Sequence, residues 1–252
     1  MVVELDVFHK ILNKYNISVD RPQLINDCNQ IFTRDLAFVI EDKLIVSNIL
    51  PHRDKELSAI EYLLKSIPKE QVVHLPEDCH MEGGDVILWK DFIFIGTYSK
   101  PDYPDYITAR TNKKAVNFIE KLFPHREVIA FDLIKSNEDA RNNCLHLDCC
   151  FQPIGQDRAI VYKEGFINHS DYLMIEKLFS KDNLFLVTQQ EMYDMSCNVL
   201  SISNQIIVSE KSFVRLNKWM QENGFLVEPI PFKEISKQEG LLRCATLPIW
   251  RS

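Results

Sequence analysis

No stretch of this 252-residue sequence approaches the ~20 consecutive apolar residues that a membrane-spanning helix requires. Among its 29 basic and 36 acidic residues no cluster of like charge stands out. The concentrated basic face that phosphate backbones demand is therefore missing, and neither nucleic acid nor a membrane is an expected partner. The first residues, Met1-Val2-Val3-Glu4-Leu5-Asp6, carry acids where a secretory leader carries lysines ahead of an apolar core. The seven cysteines are odd in number and lack framework-like spacing. Reduced thiols in the cytoplasm are the simplest expectation.

What is present, over residues 1–252, suits one large domain or two small ones. The apolar share of 46% is enough for a real core. A net charge of −7 is compatible with a cationic small substrate. Apolar positions Leu5, Phe8, Ile11, Leu12 and Tyr15 make a helical stripe, and a polar, turn-rich link follows over 16–29.

A strand–turn–strand–helix–strand pattern then recurs at intervals of about 45 to 60 residues, the spacing that marks repeat architectures. The first copy has strands at 31–39 and 44–47, a helix at 54–66 and a strand at 71–75. The second has 85–88, 92–97, a helix at 112–122 and 127–131. The third has 144–153, 159–162, a helix at 171–179 and 184–188. The fourth has 199–202, 206–209, a helix at 212–222 and 226–229. A fifth copy begins at Leu241 with one strand, and the N-terminal helix would complete it and close the copies into a ring. In such a ring the heads of the first strands meet near the axis. Those heads carry Asp35, Glu82, Asp85, His146, Asp148 and Cys244.

Taken singly, each of these residues has an ordinary structural explanation. Together they form a reactive set. Cys244 follows Gly240 and Arg243 and is the candidate nucleophile. A free thiol of ordinary pKa is only about 3% ionised at pH 7, so it needs a cation beside it, either Arg243 or a bound substrate. His146 is the candidate acid and base, with Asp148 two residues on and on the same face of a strand. Glu82 precedes Gly83 and Gly84, where the backbone turns tightly and approaches a ligand. Asp85 serves either packing or the substrate. Carboxylates gathered in one pocket repel, and a planar guanidinium with five N–H donors removes that penalty. Cys144, His146, Cys149 and Cys150 are close together in sequence and are of the types that zinc favours. Their spacing is unusual, and strand alternation turns Cys149 away, so no metal is assigned.

The motifs Asn29-Gln30-Ile31-Phe32-Thr33-Arg34-Asp35, Met81-Glu82-Gly83-Gly84-Asp85, Ala109-Arg110-Thr111-Asn112, Cys144-Leu145-His146-Leu147-Asp148 and Arg243-Cys244 together resemble the guanidino-group modifying enzymes. These are the arginine deiminases, dimethylarginine dimethylaminohydrolases and amidinotransferases. The resemblance covers residues 29–248. It implies an α/β fold, a five-bladed α/β propeller (pentein) of repeated ββαβ units with pseudo-fivefold symmetry. It also implies a hydrolase that cleaves a C–N bond at the guanidino carbon of arginine or an arginine derivative, through a Cys244 thiouronium intermediate and without a cofactor.

By the same resemblance, His146 is the general acid/base and Glu82 binds guanidine nitrogens beside it. Asp35 and Asp148 hold the guanidinium from its other sides. Arg110, with Arg53 as a second, reaches the substrate's α-carboxylate, and Asn29 and Phe32 line the pocket. The partner is a guanidino or ureido amino acid, and a homodimer is allowed. Cleavage of citrulline to ornithine and amidino transfer to an amine are the alternatives. A non-catalytic binding protein on the same scaffold would lack the thiol, histidine and acid set. The segment 98–107, with Pro101 and Pro104, is expected to act as a mobile cover.

Overall fold

The computed structural model describes residues 1–100 and 105–250. Four three-stranded sheets follow one another along the chain, each with its strands in sequence order. The first contains β1 (Ala37–Ile40), β2 (Lys43–Val46) and β3 (Val72–His74); the second, β4 (Val86–Trp89), β5 (Phe92–Thr97) and β6 (Glu127–Asp132). The third contains β7 (Phe151–Ile154), β8 (Arg158–Val161) and β9 (Leu184–Leu186); the fourth, β10 (Leu200–Ser201), β11 (Ile206–Glu210) and β12 (Leu226–Ile230). In every sheet the first two strands pair antiparallel and the second and third parallel.

Local sequence explains this repetition. Antiparallel partners need only a tight hairpin, and a left-handed residue follows the first strand in three units: Glu41, Lys90 and Gly155, with φ of 56°, 52° and 60°. Parallel partners need a crossover, which carries a helix. The helix of the second unit, Lys113–Leu122, starts at Asn112, whose side chain accepts the Ala115 N–H at 3.0 Å. It buries Ala115, Val116 and Ile119. The crossover helices His169–Phe179 and Val214–Glu222 agree with expectation. The first is split into Lys55–Ser58 and Glu61–Ser66, because the Ala59 carbonyl at the break accepts the Gln23 N–H instead of continuing the ladder.

Two further expectations need correction. The first strands of the first and third units are shorter than the apolar runs that mark them, because short 3-10 turns occupy their heads. No strand forms among residues 241–250, which turn at 242–245 and then run without regular structure. Glycine and arginine flank this segment, and its backbone bonds go to loops: Arg243 N–H to Asn198 O, and Arg34 N–H to Cys244 O.

The core links neighbouring sheets. Phe38, Ile40 and Ile45 of the first pack with Val86, Ile93 and Ile95 of the second. A larger cluster joins the second, third and fourth, with Phe94, Phe131, Phe151 and Phe179 in ring contact. Phe8 and Leu12 of the N-terminal helix Val2–Lys14 pack with Val208, Ile230, Leu241 and Leu242. Leu247 and Ile249 then pack on the first sheet's cluster. The C-terminal segment thus bridges fourth sheet and first. Glu4 fastens this seam by accepting the N–H groups of Glu234 and Ile235 at 2.9 and 3.1 Å.

Of the expected cover, residues 101–104 lie outside the described residues. Among the described residues no helix is long and apolar enough to cross a membrane.

Phe94 is fully buried and touches the rings of both the second and third units. Replacing it with alanine should cost about 3–5 kcal/mol, measured as the loss of unfolding free energy in urea. A loss near zero would mean that the two units do not depend on this contact.

Candidate active site

Three of the first strands are preceded by the same device. Single 3-10 turns, Thr33–Asp35, Gly83–Asp85 and Leu147–Cys149, stand directly before β1, β4 and β7. Phe32, Glu82 and His146 occupy the residue before each turn. The turns pack on one another, so side chains from distant segments converge. Gly84 is needed for this approach, since a Cβ there would lie 2.7 Å from Cγ and Nδ1 of His146. The turns also break strand alternation. Cys149 is therefore not turned away from His146 and Asp148, and donor atoms of the three lie within 4.8 Å of one another.

His146 Nε2 donates to Glu82 Oε2 at 2.7 Å, and its Nδ1 is 3.9 Å from Asp35 Oδ1. Burial by itself disfavours the imidazolium. The charge of Asp35, the hydrogen bond to Glu82 and the charge of Asp85 outweigh it and raise the pKa from 6.5 to about 9. Glu82 behaves conversely. Burial pushes its pKa up, but Arg110 and His146 hold it down at about 2.

Each of three carboxylates carries an internal guanidinium. Arg110 Nη1 meets Glu82 at 3.0 and 3.2 Å. Arg53 Nη1 donates to Asp35 Oδ2 at 2.8 Å while its fork grips Glu56 at 2.7 and 2.9 Å. Arg243 Nη1 donates to Asp148 Oδ2 at 2.5 Å, and its Nη2 to the Val86 carbonyl at 2.7 Å. Asp85 stands behind the others, accepting from Thr111 Oγ1 at 2.6 Å and from the Leu147 N–H at 2.9 Å. Asp35 Oδ1 is buried and has no hydrogen-bond partner among the described residues.

Cys244 Sγ is 3.9 Å from Asp148 Oδ2. Burial, then the charges of Asp148 and Asp35, push this thiol well above its ordinary value. The cation of Arg243 is spent on Asp148, so it does not leave the sulfur ionised. The charge of Arg243 does lower the thiol's pKa, but by less than burial and the two acids raise it.

The expected cluster of Cys244, His146, Glu82, Asp35, Asp148 and Asp85 is brought together, with Arg53 and Arg110 on its rim. Those two arginines are joined to the acids rather than held apart from them. Phe32 packs against Gly240, where a Cβ would lie 2.4 Å from its ring. Asn29 is exposed and donates from Nδ2 to Gln238 Oε1 at 2.7 Å. Two residues escaped the sequence reading. Asn198 touches Cys244 Sγ at 3.1 Å, and Arg34 binds Arg243 O and Thr246 Oγ1 at 3.3 and 3.2 Å. The head of the fourth repeat was the available signal for Asn198.

Two donor sets lie close enough to hold a metal, His146–Asp148–Cys149 and Asp35–Glu82–His146. In them His146 is hydrogen-bonded to Glu82 and Asp148 to Arg243, while Asp35 Oδ1 is unpartnered among the described residues. Burial and Asp148 also keep the Cys149 thiol protonated, well above its ordinary value.

The His146–Glu82 pair predicts a pH signature. Glu82, lowered from 4.5 to about 2, contributes stability that is present above pH 4.5 and lost as pH falls through 2. His146, raised from 6.5 to about 9, contributes stability that is complete below pH 6.5 and lost as pH rises through 9. The melting-temperature difference between wild type and Glu82→Gln should peak between pH 4.5 and 6.5. A difference independent of pH would contradict the pairing.

The family model described as N,N dimethylarginine dimethylhydrolase, eukaryotic, matches residues 2–251. The Bacillus subtilis (strain 168) protein YkgA, described as uncharacterized, is 29% identical over 88% of this chain and 70% of its own length. The arginine deiminase of Limosilactobacillus fermentum is 23% identical over 98% of this chain and 68% of the deiminase. Among solved structures, apo ArgZ, an arginine dihydrolase from the ornithine–ammonia cycle in cyanobacteria, is similar with a TM-score of 0.82 at 22% identity. That match covers 100% of this chain but 38% of the ArgZ chain, and it establishes a shared α/β fold. With the family match spanning nearly every residue, the chain belongs to the N,N-dimethylarginine dimethylhydrolase family, within the guanidino-group modifying enzymes, and is a hydrolase of carbon–nitrogen bonds.

Proposed function

We propose that this chain cleaves a C–N bond at the guanidino carbon of arginine or an arginine derivative, with Cys244 as nucleophile. The observation that carries the reading is a buried thiol sharing one acid cluster with a charged His146–Glu82 pair. Asp35 Oδ1, buried and without a hydrogen bond among the described residues, is a free acceptor for an N–H of the planar cation.

The substrate guanidinium enters among Asp35, Glu82 and Asp148, displacing internal arginines from them. Its charge favours the thiolate, and the thiol proton passes to solvent. The sulfur attacks the guanidino carbon and forms a C–S bond. His146, as the imidazolium, gives its proton to the departing nitrogen as the C–N bond breaks, leaving an S-alkylthiouronium and a neutral imidazole. His146 next takes a proton from water as the oxygen attacks the same carbon. The C–S bond then breaks, the electron pair returns to sulfur, and the hydroxyl proton leaves to solvent, giving a ureido product.

Arg53 and Arg110, the more exposed members of the cluster, are the groups we assign to the substrate's α-carboxylate. We assign residues 1–252 to one catalytic domain. The sheet-to-sheet packing and the returning C-terminal segment support a five-bladed α/β propeller, with the N-terminal helix and residues 241–250 as its fifth sector. The unpaired cysteines agree with a reducing, cytoplasmic setting.

A panel of arginine, methylarginines, agmatine and citrulline, with ammonia, methylamines and amino-acid products read by mass, identifies the substrate. Ureido product should form in water without an amine acceptor. Cys244→Ala should abolish it, and full turnover by that variant would refute the nucleophile.

The protonation states make a second prediction. The reactive pair is thiolate with imidazolium, yet both groups are protonated at neutral pH. From pH 6 to 8, kcat/KM should climb about tenfold per pH unit. It should level off as His146 loses its proton near 9. A flat profile over that range would exclude a protonated resting thiol.

A further inference from the structure

The fourth repeat also sends a side chain to the sulfur. Asn198 is fully buried, two residues before β10. Its Nδ2 lies 3.1 Å from Cys244 Sγ and 3.4 Å from the Asp148 carbonyl oxygen. Its Oδ1 accepts the N–H groups of Arg243 and Cys244 at 3.0 and 3.1 Å. The neighbours fix this orientation. A reversed amide would point its oxygen at two acceptors and its NH2 group at two donors.

The charges around the sulfur give this contact its meaning. Asp148 and Asp35 both oppose negative charge there, and the Cys149 thiol lies close by without offering a cation. Arg243 is the cation nearest in sequence, and its guanidinium is engaged by Asp148 and the Val86 carbonyl. The donors left to the sulfur are the Leu241 backbone N–H and, as the side chain among them, the Asn198 amide. A neutral group suits the place, since a cation would bind Asp148 in competition with substrate and an acid would repel the thiolate.

We infer that Asn198 is a further catalytic residue of the proposed hydrolase, donating its Nδ2–H to the Cys244 thiolate while its Oδ1 holds the backbone that presents it. The hydrogen bond strengthens as sulfur becomes negative, because a bond to an ionised acceptor is roughly twice as strong as a neutral one. It therefore acts when the thiolate forms and again when the thiolate leaves the thiouronium carbon. The inference rests on Cys244 as the nucleophile, but its test reads the sulfur without turnover.

The test is alkylation of Cys244 by iodoacetamide from pH 6 to 10, followed by mass spectrometry of the Cys244 peptide, with thermal melting alongside. Asn198→Asp keeps the acceptor for the two backbone N–H groups and turns a carboxylate oxygen toward the sulfur. Asn198→Ala removes both functions. Each should slow Cys244 alkylation about tenfold at pH 8 and displace its pH midpoint upward. Asn198→Asp should keep the wild-type melting temperature more nearly than Asn198→Ala does. If only the alanine variant folds, its midpoint decides. A wild-type midpoint in either folded variant overturns the inference and leaves Asn198 as a backbone clamp. Full hydrolysis by Cys244→Ala would instead refute the nucleophile and leave the alkylation result standing.

Discussion

Four carboxylates buried in one cluster would repel one another strongly if they faced only apolar neighbours. Asp35, Glu82 and Asp148 are held by Arg53, Arg110 and Arg243, Glu82 also by His146, and Asp85 by a hydroxyl and a backbone N–H. The rest of the site follows from this compensation. The imidazole is charged because acids surround it, and the thiol is protonated because it is buried beside Asp148 and Asp35, whose charges outweigh that of Arg243. On the proposed reading, the resting protein therefore contains the chemical equivalent of its substrate, a planar cation on each of three carboxylates. Such a substrate would compete with arginines already bound, and specificity would depend on how well its N–H groups replace theirs.

The fold supplies this arrangement by repetition. One 3-10 turn at each of three strand heads brings an acid, a histidine or a close-packing glycine to the same locality. The C-terminal segment brings the thiol, tied by Arg34 from the first unit and Asn198 from the fourth. The proposed nucleophile is thus held by two units that are far apart in sequence. Its position depends on the seam between them more than on any regular element of its own.

Much of this was legible in the residues. Apolar alternation with a turn at Glu41, Lys90 or Gly155 gives the hairpins, and the stripe containing Val116 and Ile119 gives a crossover helix. The reactive residues were legible because their spacing recurs at the strand heads. Three things were not. Apolar runs hid the 3-10 turns, since residues such as Leu147 and Phe151 look alike to a period-two reading although only the second lies in a strand. The pairing of Arg53 and Arg110 with the acids depends on loops meeting in space, which spacing along the chain does not encode. Asn198 carries no charge and belongs to no obvious reactive set, so its contact with the sulfur emerges only from the geometry.

Arginine-occupied carboxylates have a practical consequence for anyone unfolding this protein. Guanidinium chloride is at once a chaotrope and a small analogue of the side chains seated on Asp35, Glu82 and Asp148. At low concentration it can occupy those acids as a ligand and favour the native state by mass action, before its solvating action prevails. Urea has no charge with which to do so, and the two agents would trace differently shaped transitions for the same chain.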